Sequence, residues 1–293
     1  MSSTAVGAAA AKVAALGVLL RDLAPLLVAF SGGVDSTLLL KSALVELGPE
    51  AVVAVTAHGD VHTAEEATAA CEAAARLAVR HVVIKTNELT VEGFAANAPD
   101  RCYRCKHALY SRLVELARTY GMKTVTDGAN SDDRADYRPG QRAARALGVR
   151  SPLAEVGLGK DEIRALAREW RLPEWDRPSS PCLASRFPYG EPITAAGLAM
   201  VAEGERYLRS LGFETLRLRH HGNVARIEVS VGDMARLIGP VGAPGDGEAS
   251  VRRGIVGHLR ALGYAYVALD LEGFRSGSLN EALHPAVAEG EDW

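Results

Sequence analysis

Short runs rich in apolar and β-branched residues recur at 26–30, 51–56, 81–85 and 123–126. Between them lie longer stretches with apolar residues at helical spacing, at 36–47, 64–79 and 106–120. The first run, Leu26-Leu27-Val28-Ala29-Phe30, has no polar interruption, as a strand covered on both faces requires. The 64–79 stretch keeps Glu65, Glu66, Glu72 and Arg76 for its wet face. Strands alternating with helices at such short intervals predict an α/β fold. Its sheet should be parallel and doubly wound, with helices on both faces. Ligands of such sheets bind at the carboxyl ends of the strands, so the chemistry should lie just after each run.

Beyond residue 190 the pattern changes. Thr194 is placed to cap a helix over 195–211. Two strands, 214–219 and 225–231, flank a turn at His220-His221-Gly222-Asn223. A glycine-rich loop at 240–247, a helix at 249–262 and a last strand at 264–271 complete the chain. This predicts a smaller α+β domain with an antiparallel sheet. The expected organisation is a domain over 1–190 and a second over 191–293. Arg217 and Arg219 fall on one strand face, where a wet surface is the plain reading and a substrate phosphate or a subunit contact the sharper one. His220 and His221 are expected to serve the turn.

The length of 293 residues suits one large or two ordinary domains. A net charge of −3 leaves no basic footprint for nucleic acid. The Ala-rich opening at 8–20 is broken by Lys12 and is too short and amphipathic to span a membrane. It also lacks the basic start of a signal peptide. A cytoplasmic protein with neither a membrane nor a nucleic-acid partner is expected. Four cysteines in such a length do not make a disulfide scaffold, so a close pair is expected to hold metal or do chemistry. Cys71 sits in a plain Ala-rich stretch, where a buried small residue is the expected role.

Three strand ends, one cysteine pair and one irregular stretch carry candidate chemistry. After the first run comes Ser31-Gly32-Gly33-Val34-Asp35-Ser36-Thr37. The glycines allow a sharp turn and close approach of the backbone to a ligand. Asp35 or Ser36 can cap the following helix, whose N-terminus suits an anion. No Gly-Lys pair stands here, so this is not the P-loop of the GxxxxGK[ST] kind. His58 and Asp60 follow the second run and are placed to line the same crevice. After the fourth run, Asp127 heads Asp-Gly-Ala-Asn-Ser-Asp-Asp and is a candidate Mg²⁺ ligand. Asp132 and Asp133 read singly as a solvated turn. Arg138, in Asp136-Tyr-Arg-Pro-Gly140, can hold a phosphate or carboxylate bidentately. Cys102 and Cys105 form a C-x-x-C just before the helix expected at 106, among Arg101, Arg104 and Lys106. A redox dithiol, a zinc site helped by His107 and an iron–sulfur cluster are all compatible with it. The proline-broken stretch 173–192 places Cys182 between Arg177 and Arg186, cations that favour a thiolate.

The order S-G-G-x-D-S between a strand and a helix resembles the pyrophosphate loop of N-type ATP pyrophosphatases. Together with Asp100–Lys106, Asp127–Asn130, Asp136–Gly140 and Pro181-Cys-Leu-Ala-Ser-Arg186, it resembles the LarE family from about residue 20 to Asn280. The resemblance implies an adenine nucleotide alpha hydrolase-like PP-loop domain. It implies ATP with its pyrophosphate on Ser31, Gly32, Gly33 and Ser36, and Asp35 near Mg²⁺. Asp127, Arg138 and Arg186 would complete the binding set. The family adenylates a carboxylate of pyridinium-3,5-biscarboxylate mononucleotide and inserts sulfur, on the route to a nickel-pincer cofactor. Cys182 falls at its sulfur-handling position. In one branch that cysteine surrenders its sulfur and becomes dehydroalanine. In another, three cysteines hold a [4Fe-4S] cluster that carries a spare sulfide. Cys102, Cys105 and Cys182 favour the cluster branch. The resemblance also implies a homo-oligomer. Other readings are a tRNA thiolase or amide-forming ligase on the same loop, and a non-catalytic nucleotide- or metal-binding regulator.

Overall fold

The computed structural model describes residues 3–135, 139–178, 181–238, 247–275 and 277–282. The chain forms two compact units. One comprises Met1–Val91 and Asp100–Pro181; the other comprises Glu92–Pro99 and Cys182–Trp293. Residues 182–190 and the short segment 92–99 therefore pack within the second unit.

The elements of the first unit are α1 (Ser3–Leu23), β1 (Leu26–Ala29), α2 (Val34–Leu47), β2 (Val52–His58), α3 (Ala64–Arg76), β3 (Arg80–Lys85), α4 (Arg101–Thr119), β4 (Thr124–Thr126), α5 (Pro139–Ala146), α6 (Pro152–Glu155) and α7 (Lys160–Glu169). The four strands pair in parallel in the order β3-β2-β1-β4. The period of two decides which side chain serves which face. Leu26 and Val28 pack with Leu20, Leu38, Leu39 and Ile163 on one side. Leu27 packs with Val53, Val55, Tyr110 and Leu113 on the other. Both faces are covered, as the uninterrupted apolar run required.

From β1 the chain winds through β2 to β3 and then returns to lay β4 on the opposite flank of β1. The winding reverses between β1 and β4, and the crevice outside the carboxyl ends at such a reversal is where ligands of open α/β sheets bind. Thr63 opens α3 with a reciprocal capping box to Glu66. Two helices start earlier than expected. Helix α2 begins at Val34 with Gly33 as its cap residue. Helix α4 begins at Arg101 after Pro99-Asp100, so both cysteines of the C-x-x-C lie inside it. Strand β2 runs on to His58, which was expected in the loop.

In the second unit α8 (Ala195–Ser210), capped by the Thr194 hydroxyl as expected, precedes β5 (Leu216–His221), β6 (Val224–Val229), α9 (Met234–Ile238), α10 (Gly247–Ala261) and β7 (Tyr266–Leu269). Strands β5 and β6 form the expected antiparallel hairpin, but β7 lies parallel to β6, so the sheet is mixed. The helical stretch between β6 and β7 carries the chain back to the starting edge, which a parallel neighbour requires. Leu208, Phe213, Leu216, Leu218, Ile227, Leu259 and Tyr264 form this unit's core. Among the described residues no helix is long and apolar enough to cross a membrane.

Candidate active site

The turn after β1 is tied by its own hydroxyls. The Ser36 hydroxyl donates to the Gly33 carbonyl (3.1 Å) and lies 3.1 Å from the Ser31 hydroxyl; the Ser31 N–H donates to Ser36 Oγ at 3.3 Å. Neither Asp35 nor Ser36 caps α2. Gly33 is the cap residue and offers no side chain, so the N–H groups of the first turn stay available to an anion. Gly32 adopts φ +73°, and a Cβ there would stand 2.8 Å from Ala70 Cα of α3. Gly32→Ala combines a left-handed backbone with a backbone overlap. It should lower stability by about 1–3 kcal/mol, read as a fall in the thermal midpoint, and weaken nucleotide binding.

Across the turn stands a cation that sequence reasoning missed. Lys160, the first residue of α7, pairs its ammonium with Asp35 Oδ2. Asp35 Oδ1 is buried and has no hydrogen-bond partner. A carboxylate oxygen in that state suits a hard divalent cation, so Asp35 fits the role of Mg²⁺ ligand. The Arg177 guanidinium donates to the Gly32 carbonyl at 3.1 Å. Arg177, expected to favour the Cys182 thiolate, therefore serves the glycine turn.

Asp127, at the end of β4, is buried and densely bonded. It accepts from the Tyr110 hydroxyl (2.6 Å), the Ser151 hydroxyl (2.7 Å) and the Ala129 N–H (3.2 Å). Burial and the adjacent Asp127 carboxylate hold the Tyr110 phenol well above its ordinary pKa, with a smaller push from Cys105. Both Asp127 oxygens are thus engaged by protein donors, and the residue anchors the turn that follows. A Cβ on Gly128 would fall 2.8 Å from Ser36 N, so this turn lies flush against the start of α2. The acidic residues beyond have structural partners. Asp132 accepts the Lys160 N–H at 2.7 Å, and Asp133 accepts the Asn130 N–H at 3.0 Å. Arg138 lies outside the described residues.

At the carboxyl end of β2, His58 Nδ1 is buried without a hydrogen-bond partner, as are His62 Nδ1 and Glu88 Oε2 nearby. Burial lowers the His62 pKa, against the pull of Glu88 and Glu66. Asp60 is exposed.

Cys102 and Cys105, outside any disulfide, are half-buried in the opening turns of α4. Their cationic neighbours have partners of their own. Arg104 pairs with Asp100 (2.8 Å), and the Lys106 ammonium stands 5.4 Å from the centre of the Tyr110 ring. Among the described residues no group of three or more His, Cys, Asp or Glu is arranged to hold a metal ion. The two thiols on this helix are two of the three expected for a [4Fe-4S] cluster; the third, Cys182, belongs to the other unit. Cys71 is exposed, against the expectation of a buried small residue.

In the second unit Cys182, half-buried, heads the short 3-10 turn Leu183–Arg186. Arg186 is 1 % exposed and makes a two-pronged pair with Glu205, at 2.8 and 3.0 Å. Its remaining nitrogen donates to the Cys182 carbonyl (3.1 Å) and the Ser185 hydroxyl (2.9 Å). Arg186, expected in the cofactor-binding set, thus fixes the backbone that carries the thiol. Arg219, expected on a wet face, is also buried. It pairs with Glu228 at 2.8 and 2.9 Å and donates to the Ser185 carbonyl at 2.8 Å. His220 and His221 end β5, and the His220 ring packs on Phe187 at 4.7 Å. Burial, reinforced by the neighbouring Arg186 charge, pushes the Arg217 guanidinium down to about 10, so it remains a cation at neutral pH.

Glu205 and Glu228 were invisible to sequence reasoning because each meets its arginine across the fold. Lys160 left a signal: a lysine at the first position of a helix opposes the macrodipole, so its place there asks for another reason.

A parallel sheet whose winding reverses at an uncapped glycine–serine turn, faced by a carboxylate and a lysine, defines an α/β fold of the pyrophosphate-loop kind. A scan against protein-family models returns no match. The chain is 41 % identical over 280 residues to the pyridinium-3,5-bisthiocarboxylic acid mononucleotide synthase of Lactiplantibacillus plantarum, covering 94 % of this chain and 96 % of that one. It is 43 % identical over 257 residues to an uncharacterised protein of Synechocystis, covering 88 % and 92 % of the two chains. An uncharacterised protein of Methanocaldococcus jannaschii is 29 % identical over 188 residues, 64 % of this chain and 69 % of its own. The chain belongs to the LarE family of sulfur-inserting synthases.

Proposed function

We propose that the chain is an ATP-dependent sulfur transferase that adenylates a carboxylate of pyridinium-3,5-biscarboxylate mononucleotide and thiolates it through Cys182. The observation that carries this reading is the near full-length identity to a synthase of the bisthiocarboxylic acid, in a chain with a pyrophosphate loop at the sheet's reversal point. A carboxylate resists attack by sulfur because its oxygen leaves badly. Adenylation turns that oxygen into a good leaving group. Ser31, Gly32, Gly33 and Ser36 would cradle the pyrophosphate, and Asp35 would hold Mg²⁺, which offsets charge on the phosphates when bound.

The Cys182 thiolate then attacks the acyl carbon. A C–S bond forms, and AMP leaves with the electron pair of the C–O bond. Removal of the Cys182 α-proton breaks the Cβ–S bond, releasing a thiocarboxylate and leaving dehydroalanine. This route takes the sulfur from Cys182 itself; the alternative is a [4Fe-4S] cluster on Cys102, Cys105 and Cys182 that carries a spare sulfide. In the unit that carries Cys182, Arg217 remains a cation at neutral pH and is the candidate there to receive the substrate phosphate. Self-association through this unit is part of the reading; Val231, Tyr266 and Leu271 are exposed on it.

The test is pyrophosphate release from ATP with the pyridinium biscarboxylate, followed by intact mass of oxygen-free protein. Pyrophosphate dependent on that substrate, with the chain lighter by one H₂S, is the expected result. Tight ATP binding without turnover would overturn the enzymatic reading. About four irons per chain, lost in Cys102→Ala, would replace the sacrificial route by a cluster.

A further inference from the structure

Lys160 is held as though aimed. Its N–H donates to Asp132 Oδ2 (2.7 Å), the preceding Gly159 N–H donates to Glu162 Oε2 (3.0 Å), and the Ser131 N–H donates to the Leu158 carbonyl (2.9 Å). These bonds clamp the start of α7 to the turn after β4, which itself lies flush against α2. The ammonium reaches from this clamp to Asp35, and the two side chains are 26 % and 23 % exposed. A cation at a helix N-terminus works against the helix. Asp35 is meanwhile satisfied on one oxygen only.

We propose that Lys160 is an exchange cation. In the free protein it neutralises Asp35 and keeps that carboxylate at the mouth of the loop. When nucleotide arrives, Lys160 yields Asp35 to the divalent cation and turns its ammonium to the phosphate oxygens. This inference rests on the adenylating reading above. In that reaction the substrate carboxylate oxygen forms a bond to the α-phosphorus. The bond from that phosphorus to the bridging oxygen breaks, and pyrophosphate leaves with the electron pair. The charge gathers on the departing oxygens, where a mobile ammonium is worth more than in the ground state. Lys160 thus competes with the metal before the chemistry and assists the leaving group during it.

Such competition has a signature that a merely structural ion pair lacks. With a non-cleavable α,β-methylene analogue of ATP at saturation, bound Mn²⁺ can be counted by electron paramagnetic resonance. Lys160→Ala should bind Mn²⁺ about three- to fivefold more tightly, because Asp35 has lost its internal partner. Substrate-dependent pyrophosphate release should fall on the order of a hundredfold in kcat, with a smaller change in KM. Lys160→Arg should return Mn²⁺ affinity to that of the wild type and recover most of kcat. Mn²⁺ affinity unchanged or weakened in a folded Lys160→Ala protein would overturn the exchange while leaving the adenylating reading intact. Failure of the wild type to bind the analogue would overturn both.

Discussion

Cys182→Ala should abolish thiocarboxylate formation while pyrophosphate release survives. The two half-reactions separate because they use different groups. In the proposed reaction, adenylation uses the turn after β1, Asp35 and the substrate carboxylate, and the carbon–sulfur bond uses the thiol. Loss of a nucleophile whose own atom enters the product leaves no slower version of the same route, so thiolation should drop by at least about 10³-fold. Cys182→Ser should behave alike, since a hydroxyl delivers oxygen. The side chain is half-buried and its backbone is held through the carbonyl, which Arg186 grips from outside the substituted atoms. Both variants should therefore unfold near the wild-type temperature. Rapid-quench assays that follow AMP, pyrophosphate and thiocarboxylate together make the measurement. Pyrophosphate lost in step with thiocarboxylate would place Cys182 in the first half-reaction as well.

Glu205→Ala should destabilise the protein by about 3–5 kcal/mol. The carboxylate is 1 % exposed and receives Arg186 on both oxygens, Arg209 at 2.9 Å and the Leu218 N–H at 3.1 Å. Removing it strands the equally buried Arg186 charge. Burial alone would raise the Glu205 pKa. The Arg186 pair, with Arg209 and the Leu218 N–H, outweighs it and holds the carboxyl below its ordinary value. The folded value is therefore depressed relative to the unfolded chain. The stability it confers is complete above the ordinary glutamate range, about pH 4.3, and is lost as pH falls through the folded value. Urea unfolding of wild type and Glu205→Ala should differ most near neutral pH and converge in acid. A constant difference down to about pH 3 would show that the loss comes from packing and not from the ion pair.

The parallel sheet and its reactive turn were legible because the signals are local. An uninterrupted run at 26–30 dictates a strand buried on both faces, and two glycines among serines dictate a turn. The start of α4 was also written locally, in Pro99-Asp100, but polar Arg101 and Arg104 masked the helical period. The parallel placement of β7 was not local, since the same residues satisfy either direction and only the returning helices decide it. Arg219 shows the limit most clearly. Alternation put it on a face without saying which face was wet. Its burial depends on Glu228, whose position relative to Arg219 follows only from the β5–β6 register. Asp127 was found by its place at a strand end, yet Tyr110 and Ser151, which engage it, come from elements 17 and 24 residues away.

The short segment Glu92–Pro99 belongs with residues that follow 181. Within that unit Asn97, fully buried at φ +56°, donates to the carbonyls of Pro188 (2.7 Å) and Glu191 (2.9 Å). Its own carbonyl accepts the Gly190 N–H at 3.0 Å. Ala95 likewise accepts the Ile193 N–H at 2.8 Å. The polypeptide thus crosses from one unit to the other three times, and no single cut yields both intact. A fragment beginning at Cys182 would carry the sulfur-bearing turn without the strap that fastens the residues just after it. During synthesis the strap leaves the ribosome some ninety residues before the stretch it must hold. The second unit can close only when its late residues return to an early piece of chain, so its completion waits on the whole length between them.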